Sequence, residues 1–392
     1  MTYSEQLQSP SLLLMIPGAK GAVASTVAVA VAALQKDPET VLTSLTTRNS
    51  FPYLGPPQAT RMAGWDSEPG KLTRCIKKNG VLPDDSWKPY RSHIDDAVAI
   101  RPAPSEQTLD AQVEHLMRDI QAFRKAHPNA LPVLINLLPA CCQTDLNRFD
   151  SLSRLYSEVN PADLPDLPYV LAAIRSGIPV ANFTPNYLEA PVVVREAVER
   201  NVPIAGFDGK TGQTYLKVAL ASALKARSLY VDGWYSLNIL GNADGKNLMD
   251  PGRAAGKVAN KTGLLDDILG YPVGERYGEP SHRVRIDYYP PRGDAKEAWD
   301  VIDFQGLFGL PMSIRLNLQG RDSILAAPVV LDLARWMAVL KLAGRSGLIP
   351  ELAFYFKKPL GDNPPLNFQD QIFRLRELEK ECDQEMTKIQ SD

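Results

Sequence analysis

The sequence predicts an α/β protein of two units, and three features of its 392 residues carry that expectation. First, "SLLLMIPGAKGAVASTVAVAVAALQK" (11–36) reads as a buried strand, a glycine turn and an Ala/Val-rich helix, the opening of a Rossmann-like unit. Second, "LPVLINLLP" (131–139) and "VPIAGF" (202–207) are short, apolar and partly β-branched, as strands of a buried parallel sheet are. They alternate with helical stretches, "LDAQVEHLMRDIQAFRKA" and "APVVVREAVERN", which places ligands beyond the strand C-termini. Third, from about residue 270 the texture changes. "HRVRIDYYPP" (282–291) and "MSIRLNLQG" (312–320) alternate apolar and polar residues, the pattern of an α+β unit whose sheet has one covered face.

Toward the C-terminus, "ILAAPVVLDLARWMAVLKLAG" reads as a long amphipathic helix and "QDQIFRLRELEKECDQEMTKIQ" as a solvated, charged one. No internal repeat or low-complexity linker interrupts the chain, and 32 prolines imply many stiff connections.

Composition narrows the classes. A hydrophobic share of 44% is ample for the cores of two domains or three. Lys+Arg 43 against Asp+Glu 45 argues against nucleic acid or an anionic membrane as the main partner. Cys75, Cys141, Cys142 and Cys382 are too irregular for a disulfide framework, so reduced thiols in a cytoplasm are expected. No Lys or Arg precedes Lys20, unlike the start of a signal peptide, and the apolar run 22–34 falls short of the roughly 20 residues that span a bilayer.

Two turns invite an anion. In "GAKGAVAS", Gly18 and Gly21 follow a strand, but Lys20 stands where the dinucleotide fingerprint has its middle glycine. An acidic ribose ligand about 20 residues on is missing from "TVLTSLTTRNS". In "VPIAGFDGKTGQTYLKVALASALKA", a strand leads through Asp208–Thr214 into a helix whose start suits a phosphate. An ordinary capped start, with Thr211 or Thr214 as the cap, is the alternative.

The stretch "SLNILGNADGKNLMDPGRAAGKVANK" (236–261) gathers amides and amines. Asn238, Asn242 and Asp244 suit sugar hydroxyls, and Gly241 and Gly245 let backbone approach a ligand. Lys257 and Lys261 share a face if helical, either as a wet surface or as amines that lower each other's pKa for acid–base work. Lys296 follows "PPRGDA", and Lys357, inside "LAFYFKKPL", is either snorkelling or desolvated for function. His93, His115, His127 and His282 have no metal-ligand spacing, adjacent Cys141 and Cys142 form no C-x-x-C site, and no G-x-S-x-G motif occurs. The candidate chemistry is lysine-based, with no metal.

Together these segments resemble the myo-inositol-phosphate synthase family. "AGWDS" (63–67), "SGIPVANFTPN" (176–186), "VPIAGFDGKTGQTYLK", "SLNILGNADGKNL", "GDAK" (293–296), "RDSILAAP" (321–328) and "FKKPL" (356–360) follow its motifs in order. The resemblance implies an NAD-binding domain over 1–216, a catalytic and oligomerisation domain over 217–325, and a segment 326–392 packing back on the first. It implies conversion of glucose 6-phosphate to inositol phosphate by C5 oxidation, enolisation, aldol closure and re-reduction. Residues Lys257, Lys261, Lys296, Lys357, Asp208 and Asp322 are then catalytic, and Thr211, Gly212, Gln213, Asn238 and Asn242 hold substrate or phosphate. Gly18, Lys20, Gly21, Ala22, Asp66 and Asp244 lie on the cofactor side. A cytoplasmic homotetramer is implied. Lys20, Ala22, Val23 and Ala24 depart from the family's glycine- and asparagine-rich loop, and Thr211 replaces its usual serine. A paralogue acting on another sugar phosphate, a plain NAD-dependent dehydrogenase and a non-catalytic NAD-binding protein are the alternative readings.

Overall fold

A computed structural model describes residues 9–141, 144–250 and 263–391. Its first sheet joins β1 (Ser11–Pro17), β2 (Arg61–Trp65), β3 (Val98–Arg101), β4 (Ala130–Asn136), β5 (Val180–Asn182), β6 (Pro203–Ala205) and β11 (Gly347–Leu348). The order is β3-β2-β1-β4-β5-β6-β11, with every pair parallel. That is a Rossmann-like order, with its switch point between β1 and β4. Alternation along β1 explains why both faces are dry. Leu12, Leu14 and Ile16 enter one core while Leu13 and Met15 enter the other.

Helices of eight residues or more are numbered α1 (Ala22–Lys36), α2 (Leu72–Asn79), α3 (Leu109–Ala126), α4 (Leu167–Arg175), α5 (Pro191–Glu199), α6 (Gln213–Ala226), α7 (Asp322–Leu342) and α8 (Phe368–Ser391). Helix α7 was expected to be amphipathic; instead residues 330–340 are buried around its whole circumference. It passes through the protein core against α1 and β4, so no solvent face remains to impose a period. Among the described residues it is the helix long and apolar enough to cross a membrane, and 78% of its apolar window is buried within the protein.

The charges of α7 are answered inside. Asp332 accepts from the backbone N–H groups of Thr46 (2.9 Å) and Thr47 (3.0 Å) and from both hydroxyls (2.7 and 2.6 Å). Arg335 donates to the carbonyls of Gly55 and Ser50. These bonds tie down the segment 37–60, which separates α1 from β2.

Helix α8 also departs from expectation. Gln371, Leu378, Cys382 and Met386 are buried, an i, i+4 stripe from Leu378 onward, so it docks along one face.

The second sheet, in the order β10-β9-β7-β8, comprises β7 (Tyr230–Leu240), β8 (His282–Tyr288), β9 (Ala295–Gln305) and β10 (Pro311–Arg321). It therefore starts well before residue 270. Strand β7 is hard to read because its inward row, Trp234, Ser236, Asn238 and Leu240, is half polar. One face packs on α6 and on Leu264, Leu265, Ile268 and Leu269. The opposite face leaves Tyr235 and Trp299 about half exposed.

Asp332→Ala removes four hydrogen bonds to a buried carboxylate and is expected to cost at least about 3 kcal/mol. Denaturant melting measures this; an unchanged midpoint would show that the segment 37–60 is held otherwise.

Candidate active site

Strand β6 ends in a loop that pairs with a distant part of the chain. Phe207 N–H donates to Lys358 O (2.8 Å), Lys358 N–H returns to Phe207 O (3.2 Å), and Leu360 N–H reaches Gly206 O (3.1 Å). Lys357 N–H donates to Asp208 O (2.7 Å) and Lys210 N–H to Tyr355 O (2.8 Å). Gly209 has to be glycine, since a Cβ there would sit 2.2 Å from the Phe183 ring. This pairing sets Lys357 Nζ 2.6 Å from Asp208 Oδ1, both side chains nearly buried. Of the two readings the sequence left for Lys357, the snorkelling one does not hold.

Beyond Asp208 the loop runs into α6. Gly212 is its N-cap and has no side-chain cap bond, so neither Thr211 nor Thr214 caps this start. The first N–H groups of α6 are therefore left to an anion. A Cβ on Gly212 would meet Leu318 and Leu325 at 3.1 Å, so the loop rests where β10 passes into α7. Lys210 braces it from behind, donating to Gln371 Oε1 (2.7 Å) and Ala353 O (3.2 Å).

The inner face of the second sheet supplies the opposite wall. Registers set Asn238 beside Ala298 and Ser236 beside Asp300 on β9, whose alternate residues Lys296, Ala298 and Asp300 share that face. Gln213 Nε2 donates to Asp300 Oδ2 at 2.8 Å. Asn238 is fully buried, yet neither atom of its amide has a hydrogen-bond partner among the described residues. An unpartnered buried amide costs about 1–3 kcal/mol, which a ligand would repay.

At the far end of that face, Lys296 Nζ lies 3.2 Å from Asp322 Oδ2. Asp294 accepts from Asn242 Nδ2 (3.1 Å) and Ser323 Oγ (3.2 Å), and burial pushes its pKa up. Asn242 also takes the N–H of Gly245, and its amide is thereby committed to the turn. Gly241 permits that turn, because a Cβ there would lie 2.3 Å from Gly293 N.

The N-terminal turn lies on the other side. Gly18 takes φ +76°, its N–H and that of Ala19 bond to Trp65 O, and α1 begins at Ala22 after Gly21 without a side-chain cap. A carboxylate does stand at the end of β2, the place where the fingerprint has its acid: Asp66 accepts from Lys20 N–H (2.8 Å) and Glu68 N–H (2.7 Å). The inserted segment 37–60 moves it far beyond the usual spacing. Lys20 Nζ turns away to Glu68 O. A cavity of about 560 Å3, lined partly by Ser67, Leu138 and Tyr169, opens beside the ends of β2 and β4. The uncapped helix start and the carboxylate, whose oxygens each keep a second lone pair, fit a dinucleotide.

Between the two walls lie buried acids. Asp166 accepts from Asn136 and Asn186, and burial raises its pKa. Glu189 lies under Gly206, and burial pushes it up to about 8.

Lys257 and Lys261 lie outside the described residues, and of Asp244 only the backbone, in the short helix Ala243–Asn247, is described. Sequence reasoning missed Asp294, Asp300 and Lys217. The last two were legible as spacings, Asp300 four residues from Lys296 on a strand and Lys217 four from Gln213 on a helix.

The family model for myo-inositol-1-phosphate synthase matches residues 212–323, which include the loop end at Gln213 and the whole second sheet. Inositol-3-phosphate synthase 1 of Bacteroides thetaiotaomicron is 35% identical over 327 residues, 76% of this chain and 75% of that protein. The chain belongs to the inositol-3-phosphate synthase family, a family of enzymes. Other members are longer. The Dictyostelium discoideum synthase is 32% identical, with 60% of its length covered, and for a rice synthase, 29% identical, that share is 58%. The Caenorhabditis elegans inositol-3-phosphate synthase structure shares the fold, with a TM-score of 0.83 at 19% identity over 96% of this chain and 86% of that one.

Glu189 gives a pH signature. Its folded pKa, about 8, exceeds the ordinary 4.5, so its stabilising contribution is complete below 4.5 and is lost as pH rises through 8. Glu189→Gln is expected to flatten the fall in melting temperature between pH 5 and 8; a slope equal to the wild type's would refute the buried, protonated acid.

Proposed function

We propose that this chain is an NAD-dependent cyclase that converts D-glucose 6-phosphate to 1D-myo-inositol 3-phosphate. One observation carries the reading. A single short loop presents Lys357 on Asp208 at one end and an uncapped helix start at the other, facing a sheet that carries Lys296 and an Asn238 with no partner among the described residues.

NAD would be held by the Gly18–Ala22 turn and Asp66 and would supply reversible hydride chemistry at C5 of the open-chain sugar. This chain's residues manage charge. Backbone N–H groups at Thr211, Gly212 and Gln213 seat the phosphate. Loss of the C5 hydroxyl proton, enolisation after C6 deprotonation and closure of C6 onto the C1 aldehyde each build negative charge on oxygen. Lys357 and Lys296, paired with Asp208 and Asp322, meet that charge as ammonium groups. Asn238 orients a hydroxyl with its uncommitted amide. By family resemblance Lys257 exchanges the O5 proton and Lys261 holds phosphate or the open chain. The partly exposed outer face around Tyr235 and Trp299 suits assembly of a homotetramer, and a cytoplasmic setting suits the reduced thiols.

Purified protein with NAD and glucose 6-phosphate is expected to form inositol phosphate at a constant level of NADH. Accumulating NADH without inositol phosphate would show a plain dehydrogenase instead. Lys357→Ala is expected to lower kcat roughly 100- to 1000-fold with little change in substrate affinity; a kcat within a few-fold of wild type would remove Lys357 from the chemistry. Asn238→Ala is expected to lower kcat/KM at least about tenfold without lowering the melting temperature, since it deletes an unpartnered buried amide. Joint loss of activity and stability would make Asn238 a structural residue.

A further inference from the structure

Between α6 and the second sheet lies a buried charge cluster that the proposed chemistry leaves unused. Lys217 follows Gln213 by one helical turn, so both project from α6 toward the sheet. Lys217 is 1% exposed, its Nζ lies 2.8 Å from His282 Nε2, and the Trp234 ring centroid is 5.8 Å away. An ammonium has only donors, so Nε2 accepts, which leaves the His282 imidazole neutral with its proton on Nδ1.

Asp300 is equally enclosed. It receives Gln213 Nε2 (2.8 Å), Trp234 Nε1 (2.8 Å) and Ser236 Oγ (2.5 Å), three donors converging on one carboxylate. The Lys217 ammonium is attracted by Asp300 and repelled by Lys296. An ionised carboxylate only accepts, so Gln213 has to present its NH2 to Asp300 and turn Oε1 the other way. That oxygen is buried and has no partner among the described residues. A bare amide oxygen repels a phosphate and suits a hydroxyl.

We propose that Lys217, seated on His282, is a positioning residue: through Asp300 it fixes the Gln213 carboxamide with its oxygen presented to a hydroxyl of the sugar phosphate. The inference rests on the sugar-phosphate reading above and deepens it, leaving the phosphate itself to backbone N–H groups. Without the Lys217 charge, the Asp300 carboxylate loses its electrostatic anchor, and the carboxamide it holds loses its single orientation. Burial brings Lys217 down to about 8, so its charge is lost as pH rises through that value. Among the described residues, the titratable groups facing it are His282 from β8 and Asp300 and Lys296 from β9.

Calorimetry on the NAD-loaded protein tests this with two probes, glucitol 6-phosphate, which lacks the reactive aldehyde, and inorganic phosphate. Lys217→Met is expected to weaken glucitol 6-phosphate at least about tenfold at pH 7, one hydrogen bond's worth, and inorganic phosphate by less than about threefold. Wild-type affinity for the polyol is expected to fall between pH 7 and 9, and the variant to lack that titration. His282→Gln, which keeps an acceptor, is expected to behave as wild type, and His282→Phe as Lys217→Met; if the lysine variant fails to fold, His282→Phe decides. Unchanged polyol affinity in Lys217→Met or His282→Phe, or equal loss of both probes, would overturn the proposal. A wild type that shows the expected binding pattern yet makes no inositol phosphate would reject the cyclase reading alone.

Discussion

Main-chain pairing between residues 206–210 and 355–360 is the constraint on which the site depends. It joins segments about 150 residues apart with hydrogen bonds that do not rely on side-chain identity. The side chains then add specificity. Phe183 fills the space that a Cβ on Gly209 would need, and Lys210 ties the loop to Gln371 at the start of α8. Lys357 and Asp208 face each other because their backbones are already paired. The buried ion pair is thus a consequence of the pairing and a poor candidate for its cause, since desolvation cancels much of the attraction within such pairs.

The molecule separates stability from function in space. Two apolar cores cover the faces of the first sheet, and α7, buried along its length, closes one of them. The buried Asp332 carboxylate of α7 is answered there by four hydrogen bonds. Toward the strand C-termini and the second sheet the balance reverses. Asn238 lacks partners among the described residues, Glu189 is driven to its neutral form, and a lysine is enclosed against a histidine. Such groups cost stability in the empty protein and are expected where a polar ligand completes the hydrogen bonding.

Much of the fold was legible in the sequence. Apolar runs marked β1, β4 and β6, and alternation marked β8 and β10, because one residue type dominates each face. Strand β7 was obscured by Ser236 and Asn238, polar residues in its buried row. Helix α7 misled because burial on every side removes the 3.6-residue signal, and α8 misled because charged residues outnumber its buried stripe. Asp66 was invisible to spacing arguments, since the segment 37–60 lies between it and the glycine turn. Lys296, after a turn, and Lys357, inside an apolar run, stood out locally, but their roles came through resemblance, because their partners Asp322 and Asp208 are not neighbours in sequence.

The most direct test of the central claim is a crystal structure of the NAD-loaded protein with glucitol 6-phosphate. The expected result places the phosphate on the N–H groups of residues 211–213 and the Nζ atoms of Lys357 and Lys296 about 3 Å from ligand oxygens. A ligand seated elsewhere, with Lys357 still committed to Asp208 alone, would contradict it.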